Sequence, residues 1–303
     1  MTSAQRSRGS ASRLRLAFAA TALIGLSTLL PLLAGCGGSG DSVKRDELIV
    51  ATTTSLKDSG LIDDVVLPLF AKTAPDVTVK VLAVGSGEAM AMGAAGEADV
   101  LFVHSPTDEA AFMAAGDGTL RLPVATNHFV IVGPGSDPAN VKRAKTAAEA
   151  FSGISERAAT FVTRGDESGT NKKELKIWDA AGVQPSGAWY VSTGQGMGET
   201  LRIASEKQGY ALTDFATFLS LKDTLDLTPL FTGSKDLVNV YSVIIVNQNK
   251  FPTVNAAAAE QMAQVLVSPA GQKAIGAYGV DKYGKQLFAP YAGALGREEY
   301  ATP

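Results

Sequence analysis

The sequence contains very few cysteines, histidines and charged residues. Its 303 residues include one cysteine and two histidines, and only 19% are charged. A lone cysteine excludes an internal disulfide. Two histidines and one cysteine also exclude the Cys/His spacing of a zinc site. The apolar share of 46% is nevertheless enough to bury one large core or two modest ones, so the chain is globular.

The N-terminal segment, residues 1–36, has the pattern of a lipoprotein signal peptide. Four arginines precede an apolar run that ends in Leu33-Ala34-Gly35-Cys36. The Cys36 thiol is the expected acceptor for a lipid anchor, and residues 37–46 follow as a flexible tether. A transmembrane anchor is the alternative, since the apolar run just reaches the length that spans a bilayer. Pro31 interrupts that run and favours the signal peptide.

The net charge of the mature chain is negative. Removal of the four signal-peptide arginines from the 27 basic residues leaves 23 against 30 acidic residues, a net charge of −7. This charge argues against nucleic acid as a partner. An anionic ligand would therefore have to be held by local dipoles rather than by the overall field.

From Glu47 onwards, strand and helix patterns alternate. Short apolar strands at residues 48–51, 77–84 and 99–103 are separated by helical patterns, and this βαβαβ order predicts a mostly parallel sheet covered by helices. In such sheets, ligands bind beyond the carboxyl ends of the strands. Ser55 with Asp58 predicts a capping box at the first helix, and Phe129 is predicted to begin a later strand.

Three turns share one pattern, in which hydroxyl groups or glycines precede a predicted helix: residues 52–55, 85–87 and 164–170. Helix N-termini offer unpaired N–H groups and the positive end of the helix dipole to an anion. Arg164 adds a planar, permanently charged donor set. Asp166 and Glu167 are expected to point away from the site and to orient the loop or the arginine. Any one such turn is an ordinary helix cap, whereas three together favour an anion site.

Three sequence strings give a more specific indication. They are Ala-Thr-Thr-Thr-Ser at 51–55, Val-Gly-Ser-Gly-Glu-Ala at 84–89 and Arg-Gly-Asp-Glu-Ser-Gly-Thr-Asn-Lys-Lys-Glu at 164–174. These strings resemble the signature segments of tungstate-binding (TupA-type) proteins of ABC importers. The strings at 196–201 and 210–214 fit the same pattern, and the resemblance covers about residues 47–291.

The resemblance implies an α/β fold of the two-lobed type II periplasmic-binding-protein class. Each lobe is expected to be a mostly parallel sheet flanked by helices, and two hinge strands are expected to join the lobes. Lobe 1 would comprise residues 47–125 together with 247–303, and lobe 2 residues 126–246. The two lobes would close over an oxyanion.

The same resemblance implies a set of oxyanion ligands. The expected ligand residues are Thr54, Ser55, Ser86, Arg164, Ser168 and Thr170. Four further candidates are Thr53, Gly169, Gly196 and Met197. No metal cation and no cofactor are expected. Two residues depart from the family pattern: Asn171 stands where a histidine is expected, and Phe215 where an arginine often follows Leu-Thr-Asp.

The expected function is capture of tungstate by a monomeric, lipid-anchored protein outside the cytoplasm, for delivery to an ABC permease. Molybdate, phosphate or sulfate are alternative ligands. A secreted hydrolase is a further alternative, although Ser168 lies one place too late for a Gly-x-Ser-x-Gly nucleophile elbow. His104 and His128 are interpreted as structural histidines.

Overall fold

The computed structural model describes residues 47–292. The predicted signal peptide, the tether and the lipid acceptor Cys36 lie outside the described residues, as does the end of predicted lobe 1, residues 293–303. Among the helices of the described part, none has both the length and the apolar character to cross a bilayer.

Three parallel strands form the first part of the main sheet. Their bounds are β1 Glu47–Thr53, β2 Thr78–Val84 and β3 Val100–Val103. β1 lies between β2 and β3, with Thr53 opposite Val84 and Thr52 opposite Phe102. The carboxyl ends of the three strands therefore meet at one edge of the sheet, which confirms the predicted βαβαβ arrangement.

A helix follows each of these strands closely. The bounds are α1 Thr54–Asp58, α2 Leu67–Thr73, α3 Ser86–Ala94 and α4 Pro106–Ala114. The N-cap of α1 is Thr53, whose Oγ1 accepts the Leu56 N–H at 3.4 Å. The predicted capping box of Ser55 and Asp58 is therefore wrong. The chain enters the helix earlier than predicted, because the Thr53 hydroxyl, on extended backbone, already supplies the cap.

The remaining strands complete a mixed sheet and a separate two-stranded sheet. Their bounds are β4 Gly118–Gly133, β5 Phe161–Thr163, β6 Tyr190–Ser192, β7 Ala211–Asp214, β8 Thr228–Phe231, β9 Val238–Val246 and β10 Ala289–Pro290. β5 and β6 pair in parallel, whereas β9 pairs antiparallel with β3 and β4.

The long strand β4 has different partners along its length. From Gly118 to His128 it pairs with β9, and from Phe129 onwards it pairs with β7 and β8. The prediction that this strand begins at Phe129 is wrong. Polar residues from 126 to 128 hid the earlier half of the strand: Asn127 lies in a buried polar cluster, and His128 is exposed.

The chain segment between β4 and β9 carries four further helices. Their bounds are α5 Ala147–Glu156, α6 Gly169–Ala180, α7 Met197–Glu206 and α8 Phe215–Leu221. Phe151, Phe161 and Trp178 pack together with ring centroids 4.3–5.1 Å apart, in a buried cluster of this segment. The turn between β5 and α6 therefore rests on a rigid core.

After β9 the chain returns to the first part of the sheet. The helices here are α9 Ala256–Val267, α10 Pro269–Ala277 and α11 Val280–Tyr283. The buried face of α9, including Met262 and Leu266, belongs to the same apolar cluster as Leu48 and Val50 of β1.

Candidate functional site

The turn after β1 is buried and contacts two other parts of the chain. Ser55 Oγ lies 3.1 Å from Thr53 Oγ1 and 3.3 Å from Nε2 of His104, which follows β3. Thr54 is half-buried, and its Oγ1 accepts the Met197 N–H at 3.4 Å. This turn therefore touches both the end of β3 and the start of α7.

The turn after β2 packs directly against the loop after β5. Ser86, the first residue of α3, is fully buried. A Cβ atom added to Gly85 would lie 3.5 Å from Ser168 Cβ, and one added to Gly87 would lie 3.4 Å from the Glu167 carbonyl oxygen. These distances are ordinary van der Waals contacts, so the second and third predicted turns touch each other.

Arg164 is held by its neighbour Asp166. Its side chain is 3% exposed, and its Nε and Nη2 donate to Asp166 Oδ2 at 3.1 and 2.5 Å. Asp166 Oδ1 also accepts the Ser168 N–H at 3.2 Å. This geometry confirms that Asp166 orients the arginine. Glu167 is exposed. The second terminal nitrogen of the guanidinium, Nη1, has no partner among the described residues.

The loop after β5 leads into α6 through a side-chain cap. Ser168 Oγ accepts the Asn171 N–H at 3.2 Å, which leaves the Ser168 hydroxyl proton free to donate elsewhere. A Cβ atom added to Gly169 would lie 2.9 Å from the His104 carbonyl oxygen. The start of α6 therefore packs on His104. Thr170, the next residue, is buried.

A small cavity adjoins Thr54 at the start of α7, where Met197 is buried. A Cβ atom added to Gly196 would lie 3.3 Å from Thr54 Cγ2, and the Gly198 N–H donates to Asp58 Oδ2 at 3.0 Å. The cavity has a volume of about 270 Å³ and is lined by Thr54, Asp58, Gly196, Gly198, Glu199, Arg202 and Leu221.

Three of the predicted ligand residues carry a buried donor without a partner. Within residues 47–292, five buried side-chain atoms make no hydrogen bond. Two of them, Asp214 Oδ2 and Ser242 Oγ, lie outside the predicted ligand set, and the other three are Ser86 Oγ, Arg164 Nη1 and Thr170 Oγ1. We refer to these last three atoms as the open donors. A buried polar group without a partner costs about 1–3 kcal/mol, and more when charged, so native structures rarely keep one without a functional reason. The open donors thus have the chemistry expected of a site for an oxygen-rich anion.

A buried carboxyl group anchors the loop that contains Arg164. Glu174 of α6 accepts hydrogen bonds from Thr163 Oγ1 at 2.6 Å, Tyr190 OH at 2.7 Å and Trp178 Nε1 at 3.0 Å. Burial raises the pKa of Glu174 to about 7 in spite of these donors. Glu174 therefore ties β5, β6 and α6 together next to the loop.

Two residues that depart from the family pattern have structural partners. Asn171 is buried, accepts the Glu167 N–H at 3.2 Å and donates to Thr163 Oγ1 at 3.1 Å. Phe215 is half-buried, and Lys285 Nζ lies 5.5 Å from its ring centroid. Asn171 thus stabilises the loop beneath the open donors, and a lysine places positive charge over the Phe215 ring.

The sequence analysis did not predict a series of hydrogen-bonded polar side chains that begins at His104, next to the turn after β1. His104 Nδ1 lies 3.0 Å from Asn239 Oδ1, Asn239 donates to Asn127, and Asn127 donates to Asp214. All four residues are buried. The available signal was a polar residue inside an apolar strand, as in Val-Asn239-Val-Tyr.

Two residues of this polar series, His104 and Asp214, have strongly shifted pKa values. Burial, helped by the nearby Arg164 charge, lowers the pKa of His104 to about 4. Burial raises the pKa of Asp214 to about 6, although hydrogen bonds from Thr217 and Asn127 oppose the shift. His104, with a hydrogen-bond partner at each ring nitrogen, fits the interpretation of a structural histidine.

Comparison with known proteins gives concordant relatives. A family model described as "PBP superfamily domain" matches residues 34–270. The chain is 45% identical over 250 residues to the tungstate-binding protein TupA of Peptoclostridium acidaminophilum, covering 82% of this chain and 87% of that protein.

Two solved structures are also similar to this chain. The tungstate ABC transporter structure from Geobacter sulfurreducens has a TM-score of 0.71 at 46% identity, covering 77% of this chain and 98% of that one. The tungstate-binding protein TupA from Desulfovibrio alaskensis G20 has a TM-score of 0.67 at 41% identity, covering 81% and 99%.

Proposed function

We propose that this chain, which belongs to the TupA-type family of substrate-binding proteins in the periplasmic-binding-protein superfamily, captures a tetrahedral oxyanion outside the cytoplasm and delivers it to an ABC importer. This family consists of transport binding proteins rather than enzymes. Tungstate is the proposed ion, because the similar proteins from P. acidaminophilum and D. alaskensis are named for tungstate binding.

The observation that carries the proposal is the presence of the open donors. Ser86 Oγ, Arg164 Nη1 and Thr170 Oγ1 come from three different elements, and each is buried without a partner in the described part of the chain. All three donate, and one belongs to a permanent cation. An oxyanion bound among them would give each donor an acceptor and remove the cost of its burial.

The proposed ligand set is the one that the sequence predicts. It comprises Thr54, Ser55, Ser86, Arg164, Ser168 and Thr170, with Thr53, Gly169, Gly196 and Met197 beside them. Hydrogen bonds to a charged group contribute about 1.5–3 kcal/mol each. Five to seven such donors, including main-chain N–H groups at the starts of α3 and α6, could supply the roughly −12 kcal/mol of a nanomolar complex.

The donor chemistry favours a fully ionised dianion over a protonated one. Asp166 is bonded to Arg164 and to the Ser168 N–H, and Glu167 is exposed, so neither nearby acid is presented as an acceptor. Phosphate usually carries a proton that requires an acceptor, and sulfate is smaller than tungstate. Molybdate has nearly the same size and charge as tungstate and is the second candidate ligand.

We further propose that the ion stabilises a closed arrangement of two lobes, residues 47–125 with 247–303 and residues 126–246. Hydrogen bonds of the turn after β1 with Met197 and Thr217 support this proposal, because they join residues of the two proposed lobes. The long strands β4 and β9 are the proposed hinge. The ion favours the closed state because that state alone completes its donor set.

The membrane attachment is proposed from the sequence pattern around Cys36. A diacylglyceryl group on this thiol would hold the protein, as a monomer, near its permease. Metabolic labelling with a fatty-acid analogue tests the attachment. The wild-type protein should be labelled, and Cys36→Ser should abolish both the label and the membrane association. Labelling that persists in Cys36→Ser would contradict the anchor.

Parallel calorimetric titrations test the ligand. Purified protein should bind one tungstate or molybdate ion, and sulfate and phosphate at least about 100-fold more weakly, a difference of about 2.7 kcal/mol. Failure to bind any of the four ions would overturn the proposed function. Turnover of an ester or phosphoester that is lost in Ser168→Ala would favour the hydrolase instead.

A further inference from the structure

The hydrogen bonds at Asp214 fix the orientation of the neighbouring amides. Asp214 Oδ1 accepts the Thr217 N–H at 2.9 Å and the Asn127 Nδ2 group at 3.2 Å. A carboxylate oxygen that receives a main-chain N–H acts as an acceptor, so Asn127 must present its nitrogen to it. Asn127 Oδ1 consequently faces Asn239 and accepts from Asn239 Nδ2 at 3.0 Å.

The orientation of Asn239 in turn fixes the tautomer of His104. The amide nitrogen of Asn239 uses its two protons on Asn127 Oδ1 and on Tyr241 OH, the latter at 2.8 Å. The atom that faces His104 Nδ1, 3.0 Å away, is therefore Asn239 Oδ1. A carbonyl oxygen only accepts, so the His104 proton resides on Nδ1.

A neutral His104 with its proton on Nδ1 has a lone pair on Nε2. Burial and the Arg164 charge depress the pKa of this ring to about 4, so it is neutral at pH 7. Ser55 Oγ, 3.3 Å from Nε2, must then donate its proton to the ring. A hydroxyl group has one proton, so Ser55 can only accept in its contact with Thr53 Oγ1, 3.1 Å away, and the Thr53 proton points to Ser55.

We propose that His104 is a positioning residue that holds the Ser55 hydroxyl proton away from the bound anion. The inference rests on the proposed function. The hydrogen bonds all run in one direction. We refer to the series as the closed chain; in order, its donors and final acceptor are Thr53, Ser55, His104, Asn239, Asn127 and Asp214. This arrangement removes the Ser55 hydroxyl from the side-chain donors of the proposed ligand set. It leaves the open donors, together with Ser168, whose hydroxyl proton is also free.

The proton position can be read directly by NMR without any ligand. The sequence contains two histidines, so long-range ¹H–¹⁵N spectra of ¹⁵N-histidine protein contain two imidazoles, and the exposed His128→Asn variant assigns them. At pH 7 His104 should be protonated on Nδ1 and not on Nε2. A proton on Nε2, in either the other tautomer or the imidazolium, would overturn the proposal.

A double-mutant cycle tests the consequence for binding. In His104→Asn, the amide can still donate to Asn239 Oδ1 but no atom occupies the Nε2 position, so Ser55 is free to turn its proton to the ion. Ser55→Ala should therefore weaken tungstate binding at least about tenfold more in the His104→Asn background than in the otherwise unaltered protein. His128→Asn serves as the matched control background and should show no such coupling.

The possible outcomes separate the two proposals. An equal and large cost of Ser55→Ala in all backgrounds would make Ser55 a direct donor, and a negligible cost in all backgrounds would show that release of its proton does not affect binding. Either result would overturn the role of His104. If the wild-type protein binds no tungstate, the proposed function fails instead. The NMR measurement still decides the proton position in that case, and also if a His104 variant does not fold.

Discussion

The open donors and the closed chain are two buried polar groups that lie next to each other and differ in one respect. In the closed chain, each donor from Ser55 to Asn127 has an acceptor. The open donors, on Ser86, Arg164 and Thr170, have none within residues 47–292. Both groups lose hydration on burial, but every donor of the closed chain regains a hydrogen bond in the ion-free protein, and the one unpaired atom of that chain within the described residues, Asp214 Oδ2, is not a donor. The difference indicates where a ligand belongs, which polarity alone does not.

The largest expected effect is that of removing the charged open donor. Arg164→Ala should weaken tungstate binding by about 100- to 10,000-fold, as expected for two charge-assisted hydrogen bonds of about 1.5–3 kcal/mol each. Selectivity between oxyanions should fall as well, and the protein should stay folded. Calorimetry with the four oxyanions measures both effects.

A lysine at the same position separates charge from geometry. Arg164→Lys keeps the charge but loses the planar donor set, so it should recover only part of the affinity. Arg143→Ala, at an exposed arginine away from the site, is the matched control and should bind like wild type. Unchanged affinity in Arg164→Ala would contradict the role of the open donors.

The next effect belongs to the closed chain and concerns stability against pH. The folded-state pKa of Asp214, about 6, lies above the ordinary aspartate value of 3.8. The protonated form is therefore favoured by folding, and this contribution is complete below pH 3.8 and is lost as the pH rises through 6. Asp214→Asn keeps an acceptor for Thr217 and Asn127 and cannot ionise.

Urea unfolding at several pH values measures this difference. Relative to Asp214→Asn, the wild-type protein should lose about 2 kcal/mol of unfolding free energy between pH 4 and pH 7. Glu174→Gln tests whether this pH range is specific to Asp214. Burial raises the pKa of Glu174 to about 7, so the loss of unfolding free energy that depends on Glu174 should extend to higher pH. Parallel pH profiles of wild type and Asp214→Asn would refute the assignment.

A pair of isosteric substitutions compares an open donor with a bonded hydroxyl group that borders the closed chain. Thr170 Oγ1 has no partner in the described residues, whereas Thr217 Oγ1 donates to the Ser55 carbonyl oxygen at 3.1 Å, and both side chains are buried. Thr170→Val should raise the unfolding free energy of the ion-free protein by up to about 1 kcal/mol and weaken tungstate binding about tenfold.

Thr217→Val should do the opposite to stability. Loss of its bonded hydroxyl should lower the unfolding free energy by about 1 kcal/mol or more. Chemical denaturation of both variants, with and without tungstate, gives the comparison. Destabilisation of the ion-free protein by Thr170→Val would mean that its hydroxyl has an acceptor in the protein.

Much of the site could be predicted from sequence because its signals are local. Glycines and hydroxyl groups before a helix are read from neighbouring residues, and the turns at 52–55, 85–87 and 164–170 proved to be in contact through Gly85, Gly169 and His104. The role of Asp166 followed from its position two residues after Arg164. Which donors lack partners is not a local property, since it depends on every segment packed against them.

The closed chain could not be predicted for the same reason. Asn127 and Asn239 are 112 residues apart, and neither belongs to a recognisable motif. Their pairing follows from the antiparallel register of β4 and β9, in which Asn127 lies opposite Asn239. The sequence pattern placed the start of β4 at Phe129, so this register was hidden.

The smallest expected effect concerns an ion pair at the margin of the site. Lys172 of α6 pairs with Asp108 of α4, and both side chains are about one-third exposed. Solvent screens such pairs, so Lys172→Met should lower the unfolding free energy by less than about 1 kcal/mol and weaken tungstate binding less than about threefold. Titration at low and high salt should reveal what remains of the effect, since screening reduces it further. A loss as large as that of Thr170→Val would mean that Lys172 contacts the ion, and that the positive charge of the site is shared between Arg164 and a residue that already has a partner.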